Sequence, residues 1–474
     1  MANLRQRVGG LAATPLFLVT WFWPTTLPEL QQRLLAILVT VMCLWVSEAL
    51  PISATAMLIA PTLVAAQITN ARTAFASYAD PLVFLFYGAF FIAAAMERHG
   101  LNRRLAGALT TLPGLQGRGA LTRLAIMLTG VLLSMWISNT ATTAILVPIV
   151  LGALRGEGVK GMTAGAREKA QVGGLLAVAY ACSVGGIGAI VGTPPNLIAV
   201  RLLAEAGLPL SFFEYSMIGL PVALTLALVI FAALTTSHPA PNKVHTQSTG
   251  HQPWTRGEAL TALSLGLAIL GFIAPALLTA LGIGDGQANK VLPPAGAAML
   301  ATAPLFFLHD EKGELVLPWD EARKVDWGII MLFGGGIALG VQMFDTGLAE
   351  TLGRGFIELT GVRDVWALTA LAIAFTLFFT EVCSNTATAN MLIPLILGVT
   401  TELDLPPVAP VLGIACAASC AFMMPIATGP NAIVYGTGLI PLPTMNRVGL
   451  TLNVLCAVTI FALLRLLCPL YGWS

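Results

Sequence analysis

Long apolar runs divide this sequence into segments of roughly the length that spans a lipid bilayer. A helix needs about 20 mostly apolar residues to cross the hydrocarbon layer. Marking runs of this kind predicts eleven crossings, whose boundaries are soft by several residues. The predicted crossings cover residues 11–23, 34–50, 52–66, 81–96, 172–203, 217–234, 259–281, 291–308, 327–344, 408–440 and 448–467. The pattern therefore predicts an all-α integral membrane protein.

Two further apolar stretches, residues 124–154 and 365–399, are each interrupted near the middle by a polar cluster. We expect each to be a re-entrant hairpin that enters and leaves the membrane on one side. Positively charged residues favour the cytoplasmic side, and 17 of the 24 Lys and Arg residues lie there if the amino terminus is cytoplasmic. A full crossing at either stretch would invert every later loop. The predicted carboxy terminus is therefore external, in an inner or plasma membrane.

Polar motifs recur in the same order in the two halves of the sequence. Ser-Asn-Thr-Ala-Thr occurs at 138–142 and 384–388, and a second break follows each about fifty residues later, at 192–196 and 427–431. Five crossings and a hairpin per repeat place the second copy upside down, which is the inverted-repeat plan of secondary transporters. We predict an N-terminal segment with the first transmembrane helix (1–33), a first repeat with a cytoplasmic-side hairpin (34–236), a cytoplasmic linker (237–258) and a second repeat with an external-side hairpin (259–474).

Composition agrees with a bilayer protein. Of the 474 residues, 57% are hydrophobic and 10% are charged, and mean hydropathy is +0.84, which excludes an ordinary soluble enzyme. The net charge is +1 without a basic stripe, so nucleic acid is not an expected partner. The seven cysteines lie in or beside apolar runs and are interpreted as small hydrophobic residues. The glycines at 88, 185, 186 and 334–336 are interpreted as helix-packing positions.

The four polar breaks predict a site for an anion and for cations. Asparagine beside proline in apolar surroundings leaves polar groups unpaired unless they line a wet cavity or hold a ligand. Helix N-termini favour anions, and freed carbonyls with Ser, Thr and Asn oxygens suit Na⁺. No Lys or Arg lies within the motifs, so co-bound cations would balance the anion. Glu381, one turn before Ser384, is either a proton relay or a cap near the hairpin tip.

Extended motifs resemble the divalent anion:sodium symporter family, which includes sodium-coupled dicarboxylate and citrate carriers and some sulfate carriers. The matching segments are WVSEALP (45–51), MWISNTAT (135–142), GTPPN (192–196) and SCAFMMPIATGPNAIV (419–434), and the resemblance covers nearly the whole chain. It implies import of C4-dicarboxylates such as succinate, malate and fumarate with Na⁺. It also implies a homodimer in the lipid bilayer, in which a transport portion moves as an elevator against a scaffold.

The resemblance also implies site residues. By motif position, the first sodium site uses Ser134, Ser138, Asn139 and Gly192. The second uses Thr380, Cys383, Asn385 and Ala427, with Cys383 and Ala427 contributing backbone carbonyls. The implied substrate residues are Asn139, Thr140, Thr193, Pro194, Ser384, Asn385, Thr386, Thr428 and Gly429. Similar family members usually carry proline where this chain has Gly429. The glycine either merely relaxes a turn or gives a roomier subsite that accepts longer or branched acids.

Three alternatives compete with sodium–dicarboxylate symport. Gly-Ile-Gly-Asp at 282–285 fits an intramembrane aspartyl protease signature, but a polar loop follows it. A channel would use the same re-entrant segments, although the motifs form a closed pocket better than a ring of ligands. The closest alternative is a transporter of the same fold that works as a sodium-independent exchanger or carries citrate or sulfate.

Overall fold

The computed structural model of the chain describes residues 4–110, 118–154, 162–241, 253–280 and 292–473. Over these residues the protein is helical, and the β-structure consists of one isolated bridge between His309 and Leu315. The predicted all-α class is therefore confirmed for the described part of the chain. The Gly-Ile-Gly-Asp motif at 282–285 lies outside the described residues.

The helices of the first half follow the predicted order of crossings and hairpin. They are α1 Leu4–Phe22, α2 Glu29–Ser47, α3 Ile52–Ala65, α4 Ala71–Ala76, α5 Pro81–His99, α6 Leu101–Thr110, α7 Gly119–Ser134, α8 Asn139–Ala153, α9 Ala164–Gly185, α10 Pro194–Glu205 and α11 Phe212–Ser237.

The helices of the second half repeat that order. They are α12 Arg256–Ala280, α13 Pro294–Ala301, α14 Ala303–Phe307, α15 Trp319–Ala322, α16 Trp327–Asp345, α17 Leu348–Thr360, α18 Val365–Phe379, α19 Asn385–Glu402, α20 Val408–Ala418, α21 Gly429–Gly436 and α22 Leu442–Leu470. Each half thus has a helical pair (α7–α8 and α18–α19) followed by a broken helix (α9–α10 and α20–α21). We call the pairs the first and second hairpin.

Contacts between the halves occur in reciprocal pairs. Helix α3 packs against α16, and α13 packs against α5. Likewise α10 packs against α19 and α20, while α21 packs against α8 and α9. Reciprocal contacts of this kind are what a twofold relation between two similar units produces. At two of these crossings a glycine lets the backbones touch, because a Cβ on Gly88 would lie 2.7 Å from Ala298 and one on Gly335 2.4 Å from the Ala56 carbonyl.

Several described helices have the length and composition of membrane spans. Seven are long and apolar enough, or eight if α17 and α18, which meet at 94°, are taken as one bent span. The remaining predicted crossings correspond to α1 and to shorter apolar helices, so the number eleven stays a prediction.

The breaks in the long spans lie further upstream than the sequence suggested. Helix α9 ends at Gly185, and two 3₁₀ turns, Gly186–Gly188 and Ile190–Gly192, precede α10. The Pro-Asn motif therefore begins the second helix instead of lying in the gap. The physical reason is that proline is well accommodated in the first turn of a helix, where its missing N–H leaves no hydrogen bond unmade.

Candidate functional site

A cavity of about 250 Å³ lies where the tip of the first hairpin meets the two broken helices. Its wall combines polar groups of the four motifs with apolar side chains of α5 and α16. The predicted substrate residues that line it are Asn139, Thr140, Thr193, Pro194, Asn385, Thr428 and Gly429, and the predicted sodium ligands among its lining are Ser138, Asn139, Gly192, Asn385 and Ala427. The side chains of Phe86, Phe90, Trp136 and Ile329 form an apolar side that the sequence did not reveal.

Two predicted substrate residues, Ser384 and Thr386, do not line this cavity. They line a separate cavity of about 560 Å³ together with Glu48 and Asp326. Successive side chains in a helix point about 100° apart, so Asn385 can face one cavity while both of its neighbours face the other. The sequence had suggested that Ser384, Asn385 and Thr386 face the substrate together. In the structure they face two different cavities.

Four helices begin at the polar motifs. Helix α8 begins at Asn139, α19 at Asn385, α10 at Pro194 and α21 at Gly429. The first N–H groups of a helix have no intrahelical acceptor and carry the positive end of the helix dipole, so they favour an anion. The prediction that the motifs expose helix N-termini is thus confirmed by the observed helix bounds.

The asparagine of each Pro-Asn motif forms hydrogen bonds across the unwound segment of its broken helix. The Asn196 amide donates to the carbonyls of Gly186 and Ala189, both at 2.8 Å. The Asn431 amide donates to the carbonyls of Ala421 and Met424, at 2.9 and 3.1 Å. In both halves the accepting carbonyls lie ten and seven residues upstream. These bonds satisfy carbonyls that the unwound segment would otherwise leave buried and unpaired.

Buried oxygen atoms without partners cluster beside the first hairpin. Ser134 Oγ, Asn139 Oδ1 and Ser183 Oγ are each buried with no hydrogen-bond partner among the described residues, apart from the weakly polar Cys182 thiol close to Ser134. Leaving such a group unpaired costs about 1–3 kcal/mol, so a ligand is expected to satisfy it. The sequence did not predict Ser183 as a site residue, because a lone serine in an apolar run is usually interpreted as a packing residue.

Gly186 lies beside two of the predicted sodium ligands, Asn139 and Gly192. A Cβ at Gly186 would lie 3.0 Å from both Asn139 Oδ1 and the Gly192 carbonyl oxygen. These two oxygens therefore converge on the space that the missing side chain leaves. Gly186 is therefore a close-packing position, and its neighbours include two oxygens that could bind a hard cation.

The equivalent groups of the second hairpin are bonded to one another. The Thr380 hydroxyl lies 2.9 Å from Asn385 Oδ1 and 2.8 Å from the Ala418 carbonyl, and it can donate to either. Thr380 and Cys383 are buried and do not line the cavity, whereas Ala427 does. Of the four predicted ligands, Thr380 and Asn385 are therefore within hydrogen-bond distance of each other, and Asn385 and Ala427 line the same cavity.

Glu381 braces the second break. Its carboxylate accepts hydrogen bonds from the backbone N–H groups of Phe422, Met423 and Met424 at 2.7, 2.9 and 3.0 Å. The Asn453 amide donates a fourth bond at 2.9 Å. A buried carboxylate with four donors fits the capping interpretation of Glu381. The equivalent residue of the first hairpin, Met135, instead packs against Gly188.

None of the described residues that line the 250 Å³ cavity carries a charge. Arg201, which follows the first break, forms an ion pair with Asp80 at 2.5 Å and a second one with Glu205. Its charge is thus already balanced by carboxylates. An anion in the cavity would be held by helix N-termini and hydroxyl groups and would gain from cations bound beside it.

Comparison with known proteins identifies the family. The family described as "Sodium:sulfate symporter transmembrane region" matches residues 5–472. The chain belongs to this family, the divalent anion:sodium symporters. It is therefore a multi-pass membrane transporter, as the sequence predicted, and not an enzyme.

Curated relatives of this family match over nearly the whole chain. An uncharacterized transporter of Haemophilus influenzae is 32% identical and covers 90% of this chain and 89% of the relative. The sodium-dependent dicarboxylate transporter SdcS of Staphylococcus saprophyticus is 31% identical, covering 98% and 92%. SdcS of Staphylococcus aureus is 30% identical with the same coverage.

Solved structures share the fold at low sequence identity. The YdaH transporter of Alcanivorax borkumensis has a TM-score of 0.55 and 14% identity, covering 94% of this chain and 99% of that one. MtrF of Neisseria gonorrhoeae has the same TM-score and identity, covering 94% and 96%. These likenesses support the helical transporter fold and carry no information on substrate.

Proposed function

We propose that this chain imports C4-dicarboxylates such as succinate, malate and fumarate together with Na⁺ across the inner or plasma membrane. The observation that carries the proposal is an uncharged polar cavity at helix N-termini with unpaired buried oxygens beside it. An uncharged site in an apolar protein holds a dianion more tightly if positive charge arrives with it. The sodium-dependent dicarboxylate transporters among the relatives support the same coupling.

Sodium binds in this proposal at two places. The first uses Ser134, Ser138, Asn139 and Gly192, with Ser183 as a further oxygen beside them. The second uses Thr380, Cys383, Asn385 and Ala427, where Na⁺ would replace the bond between Thr380 and Asn385. Hydroxyl, amide and carbonyl oxygens without thiolate or carboxylate are the ligands expected for this ion.

The proposed architecture is a pair of inverted repeats, 34–236 and 259–474, with re-entrant hairpins. The reciprocal contacts between the halves support a twofold relation, and five crossings per repeat would invert the second copy. The amino terminus is cytoplasmic and the carboxy terminus external. The cavity-bearing helices move as an elevator within a homodimer, and alternating access exposes the cavity to each side in turn.

Uptake of radiolabelled succinate into proteoliposomes tests the function. An inward sodium gradient should drive accumulation, and replacing Na⁺ by K⁺ should abolish it. Uptake that needs no sodium and depends on internal dicarboxylate would establish the exchanger instead. Competition by excess sulfate or citrate, with no effect of malate or fumarate, would establish a carrier of those anions.

The number of sodium ions follows from the effect of membrane potential. If more than two Na⁺ accompany each dianion, transport moves net positive charge inward. An inside-negative potential imposed with valinomycin should then accelerate uptake. An unchanged rate would show electroneutral coupling with two Na⁺.

A further inference from the structure

The two broken helices differ at the residue that begins their second half. Thr193 precedes Pro194 in α10, and Thr428 precedes Gly429 in α21. Because Pro194 and Pro195 have no N–H groups, the first two positions of α10 offer no backbone donor to the cavity. Gly429 keeps its N–H at the first position of α21, where no intrahelical acceptor exists. The cavity is therefore richer in donors on the α21 side.

Gly429 is in direct contact with Thr140 of the other half. A Cβ at Gly429 would lie 2.1 Å from Thr140 Oγ1 and 2.9 Å from Thr140 Cγ2. The Thr140 side chain thus occupies the space that proline or alanine at 429 would need. The glycine does not enlarge the subsite, contrary to one expectation from the sequence. It brings a hydroxyl group and a backbone N–H together at one wall of the cavity.

Two further donors lie at this wall beside the N–H groups that begin α8. Helix α8 begins at Asn139, and Ser138 makes no side-chain capping bond there, so the first N–H groups of α8 remain available for carboxylate oxygens. The Thr140 hydroxyl and the Gly429 N–H are additional donors next to them. An oxygen on the carbon beside the carboxylate would use them, and an unsubstituted methylene would not.

Building on the proposed function, we propose that Thr140 and Gly429 form a subsite for the 2-hydroxyl or 2-oxo oxygen of a C4-dicarboxylate. The cavity then prefers 2-hydroxy- and 2-oxosuccinate to succinate. The preference arises on one side only, because the prolines that begin α10 provide no matching donors.

Competition binding to the purified full-length chain in detergent with Na⁺ tests this subsite. Labelled succinate is displaced by unlabelled succinate and by malate, and we expect malate to act at a concentration about three- to tenfold lower, the effect of one or two added hydrogen bonds. Thr140→Val removes the hydroxyl at nearly constant size, and Gly429→Ala displaces it. Each should bring the ratio to about one, whereas Thr140→Ser should retain it, and the double variant should lose no more than either single variant.

Pro194→Gly is the matched control, because it changes the equivalent residue of the other half and leaves the Thr140–Gly429 contact alone. It should not lower the malate preference. Equal displacement by malate and succinate in the wild type overturns the inference, as does a preference that survives in Thr140→Val. Sodium-independent binding with the preference intact would count against the proposed coupling but support this subsite. A wild type that binds neither acid would overturn both.

Discussion

The two hairpins present equivalent residues to the cavity region in different states of hydrogen bonding. In the first hairpin, Ser134 Oγ and Asn139 Oδ1 are buried without a hydrogen-bond partner among the described residues, apart from the Cys182 thiol close to Ser134. In the second, the hydroxyl of Thr380 lies within hydrogen-bond distance of Asn385 Oδ1 (2.9 Å) and of the Ala418 carbonyl (2.8 Å) and can donate to either. The same pattern of residue types therefore yields uncommitted oxygens in one half and an internal hydrogen bond in the other.

The two halves also differ in the glycines at the breaks and in the capping of the hairpin helices. Gly186 and Gly192 approach so closely that a Cβ on Gly192 would lie 2.4 Å from the Gly186 carbonyl oxygen. Their counterparts in the second half are Ala421 and Ala427, which carry side chains. Ser384 caps its helix by accepting a hydrogen bond from the Ala387 N–H at 3.2 Å, whereas Ser138 makes no such bond.

This difference indicates how each half is held in shape. Unpaired buried oxygens destabilise the first half, and close glycine contacts hold its geometry. A ligand that pairs with these oxygens would stabilise it. At the equivalent positions of the second half, Thr380 and Asn385 are within hydrogen-bond distance of each other and Glu381 holds the break, although Ser419 Oγ and Asn431 Oδ1 are also buried there without a partner among the described residues. We infer that a cation contributes more to the stability of the first site than of the second.

The largest effect is expected at Glu381, which only the second half possesses. Glu381→Gln replaces one acceptor oxygen by an NH₂ group that faces backbone N–H donors. Losing hydrogen bonds to a buried charged group should lower the free energy of unfolding by about 2–3 kcal/mol and impair uptake strongly. Thermal unfolding in detergent, with succinate uptake alongside, measures both.

Met135→Leu is the matched control, because it alters the equivalent position of the first hairpin by a conservative change. It should lower the free energy of unfolding by less than about 1.5 kcal/mol. A Glu381→Gln variant as stable and active as Met135→Leu would show that the brace is dispensable.

The next effect compares the two asparagines, Asn139 and Asn385, as proposed sodium ligands. Asn139→Ala removes an oxygen that has no other partner, so the sodium concentration for half-maximal uptake should rise about tenfold. Asn385→Ala removes an oxygen that already has Thr380 as a partner, and the Thr380 hydroxyl can still donate to the Ala418 carbonyl, so about a threefold rise is expected. Sodium activation curves at saturating succinate give both numbers. Equal shifts would mean that the two sites share the ion-binding energy evenly.

Local patterns made most of the helices and the motif termini predictable. Apolar runs indicated the spans. The prolines that begin α10 and the capping serine Ser384 before α19 agree with the observed starts of those helices, because proline and capping effects act within one turn. The breaks themselves were placed too far downstream. The first break begins at Gly186, whose carbonyl accepts a hydrogen bond from the amide of Asn196, ten residues away. No local pattern reveals such a bond.

The sequence predicted which residues line the candidate site better than it predicted how they are arranged. The motifs named most residues that line the cavity, yet Ser384 and Thr386 face a different one. The bond network of Glu381 joins the second hairpin to Phe422 and Asn453, far apart in sequence. Such contacts depend on the tertiary arrangement, so the sequence left open whether Glu381 is a cap or a proton relay.

A smaller effect should follow from filling the space at Gly186. Gly186→Ala places a methyl group 3.0 Å from Asn139 Oδ1 and the Gly192 carbonyl oxygen, tighter than ordinary contact, so the oxygens must separate. Half-maximal sodium should rise about fivefold, with a smaller change in the apparent affinity for succinate.

Ala421→Gly is the corresponding change in the second half, and it removes a methyl group instead of adding one. It should leave sodium activation within about twofold of wild type. Should Gly186→Ala bind sodium as well as Ala421→Gly does, the oxygens beside Gly186 would not be the cation site.

The smallest effect concerns the serines that precede α8 and α19. Ser384→Ala removes a capping bond and should lower the free energy of unfolding by about 1 kcal/mol whether or not sodium is present. Ser138 makes no capping bond, so Ser138→Ala should change stability little in sodium-free buffer. As a proposed ligand of the first site, however, Ser138 should contribute once the ion binds, because a ligand stabilises the folded state according to its affinity. Thermal unfolding in K⁺ and in saturating Na⁺ separates the two roles. The Ser384→Ala deficit should be the same in both salts, and the Ser138→Ala deficit should appear only in Na⁺. A Ser138→Ala deficit that is equally large in K⁺ would make the serine a structural residue and remove the main distinction drawn between the hairpins.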